Sequence, residues 1–338
     1  MPTAVHPHNP EADAQQASES IPPAVVMVSG CKDSQTSADV QDVAGFQLSD
    51  EAGPGGAGGA CTTSLVSTLE DESCPKPLPW GELLTRMRKV LKDKRYTQIP
   101  QLSSSRQMTL DQPFDPLQGS DPKRARALLI GINYVGQQGE LRGCHNDVEM
   151  AKRMLLRMGF LGENMRLMMD DGSHETPTHA NIVQGFAWLR EGAAAGDARF
   201  MHYSGHGGST RDSSGDEEDG KDETLIPTDF QQAGMIKDDE VSEHLIMRMA
   251  KDVKLTCIMD CCHSGTILDL PYNLKLDGET AEAVESGQLH DLMVNPNFNM
   301  EKAMQLARIV FEEFQNMDKK DTGGCLRCLM RVVQAAQR

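Results

Sequence analysis

The sequence predicts an α/β fold whose mainly parallel central sheet is flanked by helices on both faces. Two apolar runs, at residues 198–204 and 255–259, are short and continuous, and glycines or other small residues lie close to their ends. Such runs are typical of strands buried inside a parallel sheet. Strand-like and helix-like segments alternate around them, as expected for repeated βαβ units.

The first third of the chain is predicted to contain few regular elements. Residues 1–20 are polar and rich in proline and alanine, so we expect them to be disordered. The apolar run 24–28 predicts a strand, and the spacing of apolar residues within 80–92 predicts an amphipathic helix. The glycine-rich segment 53–59 lacks the lysine and hydroxyl residue of a phosphate-binding loop, so a flexible linker is the better interpretation. A second linker, at 113–123, contains prolines.

From residue 125 onward the alternation becomes regular. Before and between the two apolar runs, strands are predicted at 127–132 and 165–169, and helices at 148–158, 180–191 and 240–250. The tail after residue 272 does not continue this alternation of strands and helices. An amphipathic pattern over 300–317 predicts one helix there, and another is predicted close to the C-terminal end.

Composition narrows the possible functions. The chain has 338 residues, nine cysteines and a formal net charge of −17. This length suggests one or two domains, and the charge argues against nucleic acid or an anionic membrane as a partner while favouring a metal ion or a basic substrate. The cysteines lack the spacing of a disulfide framework, which favours a reducing compartment. Because no signal peptide or membrane span is recognisable, we expect a soluble cytoplasmic protein.

Each of the two apolar runs leads into a residue that can take part in catalysis. The first is followed by His206, within Gly-His-Gly-Gly, and the second by Cys262, within Asp-Cys-Cys-His-Ser-Gly. Reacting groups of open α/β sheets gather at the carboxyl ends of strands, and a histidine beside a cysteine is the layout of a cysteine protease dyad. Either residue alone would be read as a buried histidine or an inert core thiol. Their joint occurrence favours catalysis.

These segments also resemble a known family. Residues 202–208 and 260–265 are similar to the two catalytic motifs of metacaspases, which are caspase-like cysteine peptidases. The similarity continues through 127–134 and 141–147 and covers most of the family's large-subunit segment, which corresponds to 125–273 here. The resemblance implies a caspase-like fold.

The resemblance also implies which residues catalyse. In the family's pattern the nucleophile is the cysteine directly before His-Ser-Gly, which is Cys262 and not Cys261. His206 would act as base and then as acid, because imidazole gains and loses a proton near neutral pH. The backbone N–H groups of Gly207 and Cys262 would form the oxyanion hole.

The order of the segments is similar to that of type III metacaspases. Residues 24–115 resemble the family's small-subunit segment, yet they precede the large-subunit segment at 125–273. Residues 116–124 would then be a linker and 274–338 a helical tail. We expect everything except the termini to form one catalytic domain.

The resemblance implies an acidic specificity pocket lined by Cys144, Asp147, Ser204 and Asp260. Two carboxylates in one pocket suit a guanidinium or an ammonium group, so cleavage after Arg or Lys is expected. Without the resemblance, Asp147 could equally cap the helix predicted from residue 148.

An acidic stretch at 211–223 is either a solvated charge run or a site for a hard cation. It lacks the glycine that an EF-hand loop requires at its sixth position. The resemblance implies that Ca²⁺ is the cofactor and that its ligands are Asp222, Asp238, Asp239 and Asp269. Asp216 or Asp219 could replace Asp222, and Asp238 could instead cap the helix predicted at 240–250.

We therefore expect a calcium-dependent cysteine endopeptidase that acts on protein or peptide substrates after Arg or Lys. The alternatives are a non-catalytic caspase-like interaction module and a calcium-responsive scaffold whose tail binds a partner. His263 and the lone Cys325-x-x-Cys328 pair have no further ligands at metal-site spacing, so a zinc or redox role is disfavoured.

The link at 114–126 carries basic residues that the acidic pocket could accept. Self-cleavage there is consistent with the expected specificity, but the cut is not expected to be required. The chain is predicted to act as a single-chain monomer.

Overall fold

The structure is a computed structural model that describes residues 9–30, 39–40, 58–73, 77–96, 98–211, 221–261, 267–296, 298–299, 303–305 and 307–310. For residues 39, 40, 58, 209–211, 221 and 222, only the backbone is described.

The described strands are β1 Ala24–Ser29, β2 Asp39–Val40, β3 Gly58–Gly59, β4 Gln101–Ser104, β5 Arg126–Gly131, β6 Met165–Met169, β7 Ala198–Ser204, β8 Gly207–Arg211, β9 Lys221–Leu225, β10 Ile236–Lys237, β11 Lys254–Asp260, β12 Tyr272–Lys275 and β13 Met293–Val294. The described α-helices are α1 Pro10–Ser20, α2 Ala60–Glu70, α3 Trp80–Asp93, α4 Cys144–Arg157, α5 His179–Arg190, α6 Phe230–Ala233, α7 Asp238–Val241 and α8 Gly278–Glu285. A 3₁₀ turn spans Gly162–Asn164, and a π-helical turn spans Ser242–Met247.

An eight-stranded sheet lies at the centre of the described structure, in the order β13-β12-β4-β1-β11-β7-β5-β6. Strands β1, β11, β7, β5 and β6 pair in parallel, whereas β4 pairs antiparallel with both β1 and β12. The predicted mainly parallel sheet is therefore confirmed. Since β1 and β4 come from the first third of the chain, that segment shares one sheet with the segment that follows it.

Both faces of the sheet are covered, because successive side chains of its strands enter different cores. On β5, Leu129 packs in the core that contains residues of α2, α3 and α4, whereas Leu128 and Ile130 pack in the core that contains residues of α5 and the π-helical turn. On β7, Phe200 packs in the first of these cores and Met201 in the second. This alternation explains why these strands read as continuous apolar runs.

The N-terminal segment differs from the expectation of disorder over residues 1–20, because α1 occupies Pro10–Ser20. The Asn9 side chain accepts a hydrogen bond from the Ala12 N–H at 3.5 Å, and Pro10 stands at the start of the helix, where proline is well tolerated. Ala14 and Ala17 are buried. Helix capping and burial of small side chains therefore outweigh the polar composition.

The helix predicted at 240–250 is shorter and less regular than expected. Helix α7 ends at Val241 and continues as the π-helical turn, which still buries Leu245, Ile246 and Met247. In the tail, residues 303–305 and 307–310 are helical, and the rest of the helix predicted at 300–317 lies outside the described residues.

A second, smaller sheet follows β7. Strands β8, β9 and β10 pair antiparallel, so the chain on both sides of the acidic stretch is extended. Residues 212–220 of that stretch lie outside the described residues. No helix in the described part of the chain is long and apolar enough to cross a membrane.

Candidate active site

The carboxyl ends of β7 and β11 lie side by side. The two strands pair in parallel with Ser204 opposite Asp260, and the Gly205 N–H donates to the Asp260 carbonyl at 3.4 Å. His206 is the second residue after Ser204, and Cys262 is the second residue after Asp260. Residues 262–266 lie outside the described residues, so the register shows only that both chain segments leave the sheet at the same edge.

His206 is half-buried, and its ring is held by a backbone carbonyl. Its Nε2 lies 2.6 Å from the carbonyl oxygen of Gly139. Because a carbonyl can only accept, Nε2 must be the donor in this bond. The contact therefore selects the Nε2–H tautomer and leaves Nδ1 as the nitrogen available for proton exchange.

Asp147 and Asp260 both lie beside Ser204, at the end of β7. The Ser204 hydroxyl donates to Oδ2 of Asp147 at 2.5 Å, and all three residues are buried. Helix α4 begins at Cys144 with Gly143 as its N-cap, so Asp147 lies inside the first turn. The alternative that Asp147 caps this helix is therefore wrong, because its carboxylate points towards the sheet edge instead.

The amino end of α2 covers both carboxylates. The Gly59 N–H lies 2.8 and 2.9 Å from the two oxygens of Asp147, and the Thr62 N–H donates to Oδ2 of Asp260 at 2.7 Å. These N–H groups belong to the end of the helix that carries partial positive charge, so they stabilise the ionised carboxylates.

Gly59 lies between the two acids. A methyl group at this position would be 2.2 Å from Oδ2 of Asp260 and 2.8 Å from Oδ2 of Asp147. The two carboxylates therefore converge on one small volume, which only a residue without a side chain can enter this closely.

A buried histidine contacts the first turn of α2. Nε2 of His202 lies 3.0 Å from the Thr62 hydroxyl, and burial lowers the pKa of His202 to about 3. The imidazole is therefore neutral at physiological pH. Cys144, the remaining predicted pocket residue, is buried at the start of α4, and its N–H donates to the Asn133 side chain at 3.0 Å.

The predicted calcium ligands belong to two described elements and one loop. Asp238 and Asp239 open α7, Asp222 belongs to β9, and Asp269 follows β11. Lys237 pairs with Thr224, so the β9 backbone runs beside the start of α7. The Asp222 side chain lies outside the described residues, as do Asp216 and Asp219.

Asp238 is 3% exposed, and its Oδ1 accepts the Asp239 N–H at 2.9 Å. The N-cap of α7 is Lys237, so the alternative that Asp238 caps this helix is wrong. Within the described part of the chain, no three His, Cys, Asp or Glu side chains meet closely enough to hold a metal ion. The predicted set of four ligands stays a prediction.

The sequence reasoning missed several contributors to this site, namely Gly59, Thr62, Tyr134, Gly139 and His202. Two signals were available. The glycine pair directly before α2 is typical of a close backbone approach, and His202 belongs to the same strand as Ser204 and shares its face.

The chain is similar in sequence to known proteins. Residues 125–271 match the metacaspase, peptidase C14 domain, and residues 3–110 match the caspase domain. The chain is 46% identical over 283 residues to metacaspase III c of Phaeodactylum tricornutum, an alignment that covers 82% of this chain and 81% of that protein.

Two fungal proteins match a shorter stretch. Metacaspase-1 of Eremothecium gossypii is 50% identical over 157 residues, which cover 45% of this chain and 34% of that protein. Metacaspase-1 of Mycosarcoma maydis is 47% identical over 161 residues, which cover 47% and 40%. The diatom protein is therefore similar along most of its length, and these two fungal proteins along less than half of theirs.

Proposed function

Because this chain belongs to the metacaspase family of cysteine peptidases, we propose that it is a calcium-dependent endopeptidase that cleaves proteins after Arg or Lys. Its segment order is the type III arrangement, since the caspase-domain match at 3–110 precedes the metacaspase match at 125–271. Cysteine peptidase chemistry follows from membership of this family. The residue roles, the specificity and the calcium requirement are our proposals.

The observation that carries the proposal is the shared edge of β7 and β11. The paired residues Ser204 and Asp260 each precede one member of the proposed dyad by two positions, so the chain brings both segments to one edge. The buried carboxylates Asp147 and Asp260 lie at the same edge. A nucleophile, a base and an acidic pocket would then all lie within reach of one bound peptide.

In this mechanism, the Cys262 thiolate attacks the carbonyl carbon of the scissile bond. His206 takes the thiol proton at Nδ1, while Nε2–H stays on the Gly139 carbonyl and stabilises the imidazolium. The N–H groups of Gly207 and Cys262 donate to the oxyanion, and such a donor contributes roughly 10²–10³-fold in rate. His206 then protonates the leaving amine, and water hydrolyses the acyl-enzyme.

The acidic pair selects the residue before the cleaved bond. A guanidinium or ammonium group entering beside Asp147 and Asp260 exchanges its hydration for two carboxylates in a buried setting. The N–H groups of Gly59 and Thr62 keep both carboxylates oriented before substrate arrives. An acidic side chain would meet two like charges there and be excluded.

A panel of fluorogenic peptides that differ only in the residue before the reporter tests this proposal directly. With added calcium we expect turnover of the Arg and Lys peptides and none of the Asp peptide. Cleavage after Asp, or equal turnover of all peptides, would contradict the specificity. Complete inactivity of the folded protein would favour the interaction-module alternative.

Calcium is proposed because hard oxygen ligands suit it. Asp238 and Asp239 at the start of α7, Asp222 on the adjoining β9 and Asp269 would hold the ion. A bound divalent ion would neutralise carboxylates gathered at one place and hold their segments together. Since β8 starts at Gly207, fixing this small sheet would also fix the proposed oxyanion donor.

Replacing Asp238 and Asp239 together by asparagine is expected to abolish the calcium response. The amide oxygen introduced at position 238 can still accept the N–H of residue 239, so the helix start is retained while two negative charges are lost. Wild-type activity should rise at least about tenfold between excess chelator and about micromolar to millimolar calcium, the range of oxygen-ligand sites. Calcium titration of turnover measures this, and calorimetry measures binding separately.

The matched control is Glu279→Gln with Glu282→Gln, which removes two negative charges from exposed positions on α8. This variant should keep the wild-type calcium response. Magnesium should substitute poorly, because it is smaller and dehydrates reluctantly. Full wild-type activity in excess chelator would refute the calcium requirement.

The link between the two segments is proposed to be dispensable as a processing site. Lys123 and Arg124 are both exposed, although Arg124 donates to Asp197 at 2.7 and 2.5 Å, and Arg126 donates to the Trp188 carbonyl at 2.5 Å. The pairing of β1 with β11, and not the link, holds the segments together.

We therefore expect a variant with Lys123, Arg124 and Arg126 all replaced by glutamine to lose any cut in the link and to keep near-normal turnover with calcium. Gel electrophoresis before and after the assay monitors the cut. An uncut variant that stays inactive at saturating calcium would show that processing is required. Size-exclusion chromatography with light scattering of the active protein tests the proposed monomer.

A further inference from the structure

Two tyrosine hydroxyls hold the backbone of His206. The His206 N–H donates to the hydroxyl oxygen of Tyr134 at 2.9 Å, and the Tyr203 hydroxyl donates to the His206 carbonyl at 2.9 Å. Both tyrosines are buried, with at most 1% of their surface exposed. The main chain on both sides of the imidazole is therefore fixed by groups that cannot exchange with water.

The same hydroxyls are tied to the chain that follows β9. Tyr134 donates to the Ile226 carbonyl at 2.7 Å, and the Ile226 N–H donates to the Tyr203 hydroxyl oxygen at 3.2 Å. Burial raises the pKa of both phenols well above the ordinary value, so they stay neutral donors. His206 is therefore linked through two phenols to the residue that directly follows β9.

The ring of Tyr134 also touches the imidazole. The two ring centroids lie 4.7 Å apart, with an angle of 35° between the ring planes. One face of the imidazole is thus backed by an aromatic surface, which restricts rotation of the His206 side chain.

The backbone of Tyr134 is strained. Its φ of +53° lies in the left-handed region, which a bulky residue with a Cβ rarely adopts. Asp170 holds the loop in this shape by accepting the N–H groups of Asn133 at 2.8 Å and Val135 at 3.1 Å. The loop therefore keeps a costly conformation that directs the Tyr134 ring and hydroxyl to His206.

The loop carries the other His206 partner as well. Gly139, whose carbonyl accepts from Nε2, lies five residues after Tyr134. The Gly136 N–H donates to the Glu140 side chain at 2.9 Å, and the Leu141 N–H donates to the Asn133 carbonyl at 2.8 Å, which closes the loop. This one loop thus supplies the ring that contacts the imidazole, the hydroxyl that accepts the His206 N–H, and the carbonyl that selects the Nε2–H tautomer.

Gly205 shows how closely the tyrosines approach the histidine. A methyl group on Gly205 would lie 3.0 Å from the Tyr203 hydroxyl and 3.2 Å from the Tyr134 hydroxyl. The small residue before His206 therefore leaves room for both phenols.

We infer that Tyr134 is a positioning residue for His206, with Tyr203 as its partner, and that together they fix the imidazole for proton transfer. This inference rests on the proposed role of His206. Neither tyrosine contacts the substrate or exchanges a proton in this mechanism, so their effect should be on the rate of the chemical step and not on substrate binding.

The test is Tyr134→Phe, which keeps the ring and removes only the hydroxyl. We expect kcat to fall about 10–10²-fold, because small displacements of a catalytic group have effects of this size. KM for an Arg peptide should stay within about twofold, since the acidic pocket is unchanged. The matched control is Tyr272→Phe, which removes a tyrosine hydroxyl from β12 of the eight-stranded sheet and should leave kcat unchanged.

A second readout does not depend on substrate. The rate at which iodoacetamide alkylates Cys262, followed by peptide mass spectrometry from about pH 5 to 9, reports how well His206 stabilises the thiolate. In Tyr134→Phe the alkylation rate at low pH should fall towards that of His206→Ala. Tyr203→Phe should show the same change, which keeps the test decisive if Tyr134→Phe does not fold.

An unchanged kcat and alkylation profile in folded Tyr134→Phe and Tyr203→Phe would overturn the inference. A rise in KM as large as the expected fall in kcat, with kcat itself unchanged, would also overturn the inference. The hydroxyls would then act in substrate binding. If wild-type protein cleaves no peptide although His206 controls Cys262 alkylation, the proposed function fails while the positioning role stands.

Discussion

Replacing Cys262 by alanine is expected to abolish peptide hydrolysis, with a loss of kcat on the order of 10⁴-fold or more. Without the thiol no acyl-enzyme forms, and the remaining oxyanion donors cannot replace a nucleophile. His206→Ala should be nearly as inactive, because the thiol then loses the base that ionises it. Initial rates on an Arg peptide at saturating calcium measure both losses.

Two neighbouring controls make this result specific. Cys261 is 1% exposed at the end of β11, so Cys261→Ala tests a buried thiol one position away and should keep most activity. His290→Ala removes an exposed histidine and should be neutral. If folded Cys261→Ala is inactive while Cys262→Ala retains turnover, the nucleophile is Cys261 and the assignment is wrong.

Asp260→Asn is expected to give the second largest effect, a selective loss of cleavage after Arg and Lys. The amide oxygen can still accept the Thr62 N–H, so the contact with α2 is kept while the charge is removed. Leaving a buried guanidinium with one carboxylate costs about 3–5 kcal/mol, which corresponds to a loss of roughly 10²-fold to 5 × 10³-fold in kcat/KM.

The companion variant Asp147→Asn should lower kcat/KM in the same direction, since its carboxylate converges on the same volume. Asp93→Asn, at the exposed end of α3, is the charge-matched control and should be neutral. Retention of full Arg turnover by both pocket variants would show that the substrate's basic group binds elsewhere.

The sheet was predictable because its determinants are local. The runs before Gly205 and Cys262 are buried on both faces, so they are apolar at most positions and end where the chain leaves the sheet. Predicted bounds differ from the observed ones by only a few residues at most elements, and β6 matches at both ends. His206 could be proposed as a site residue because it lies two positions after the end of such a run.

The cover over the acidic pair was not predictable, since it depends on contacts between distant parts of the chain. Gly59 bonds a residue 88 positions away, and Thr62 bonds one 198 positions away. The left-handed backbone of Tyr134 was equally hidden, because nothing in its own sequence favours that conformation over an extended one. Only the surrounding bonds to Asp170 and His206 select it.

The pairing of β1 with β11 has a consequence for biosynthesis. Ala24 pairs with Lys254 and Ser29 with Met259, so β1 is translated 230 residues before its parallel partner β11, counted from Ala24 to Lys254. Contacts of such long sequence separation form slowly, and the edge of β1 that faces away from β4 is open to aggregation in the interval. The acidic pair also depends on contacts across this sequence separation, since Gly59 bonds Asp147 and Thr62 bonds Asp260. A nascent chain that stops before Asp260 therefore lacks the pocket, so the proposed specificity arises only late in synthesis.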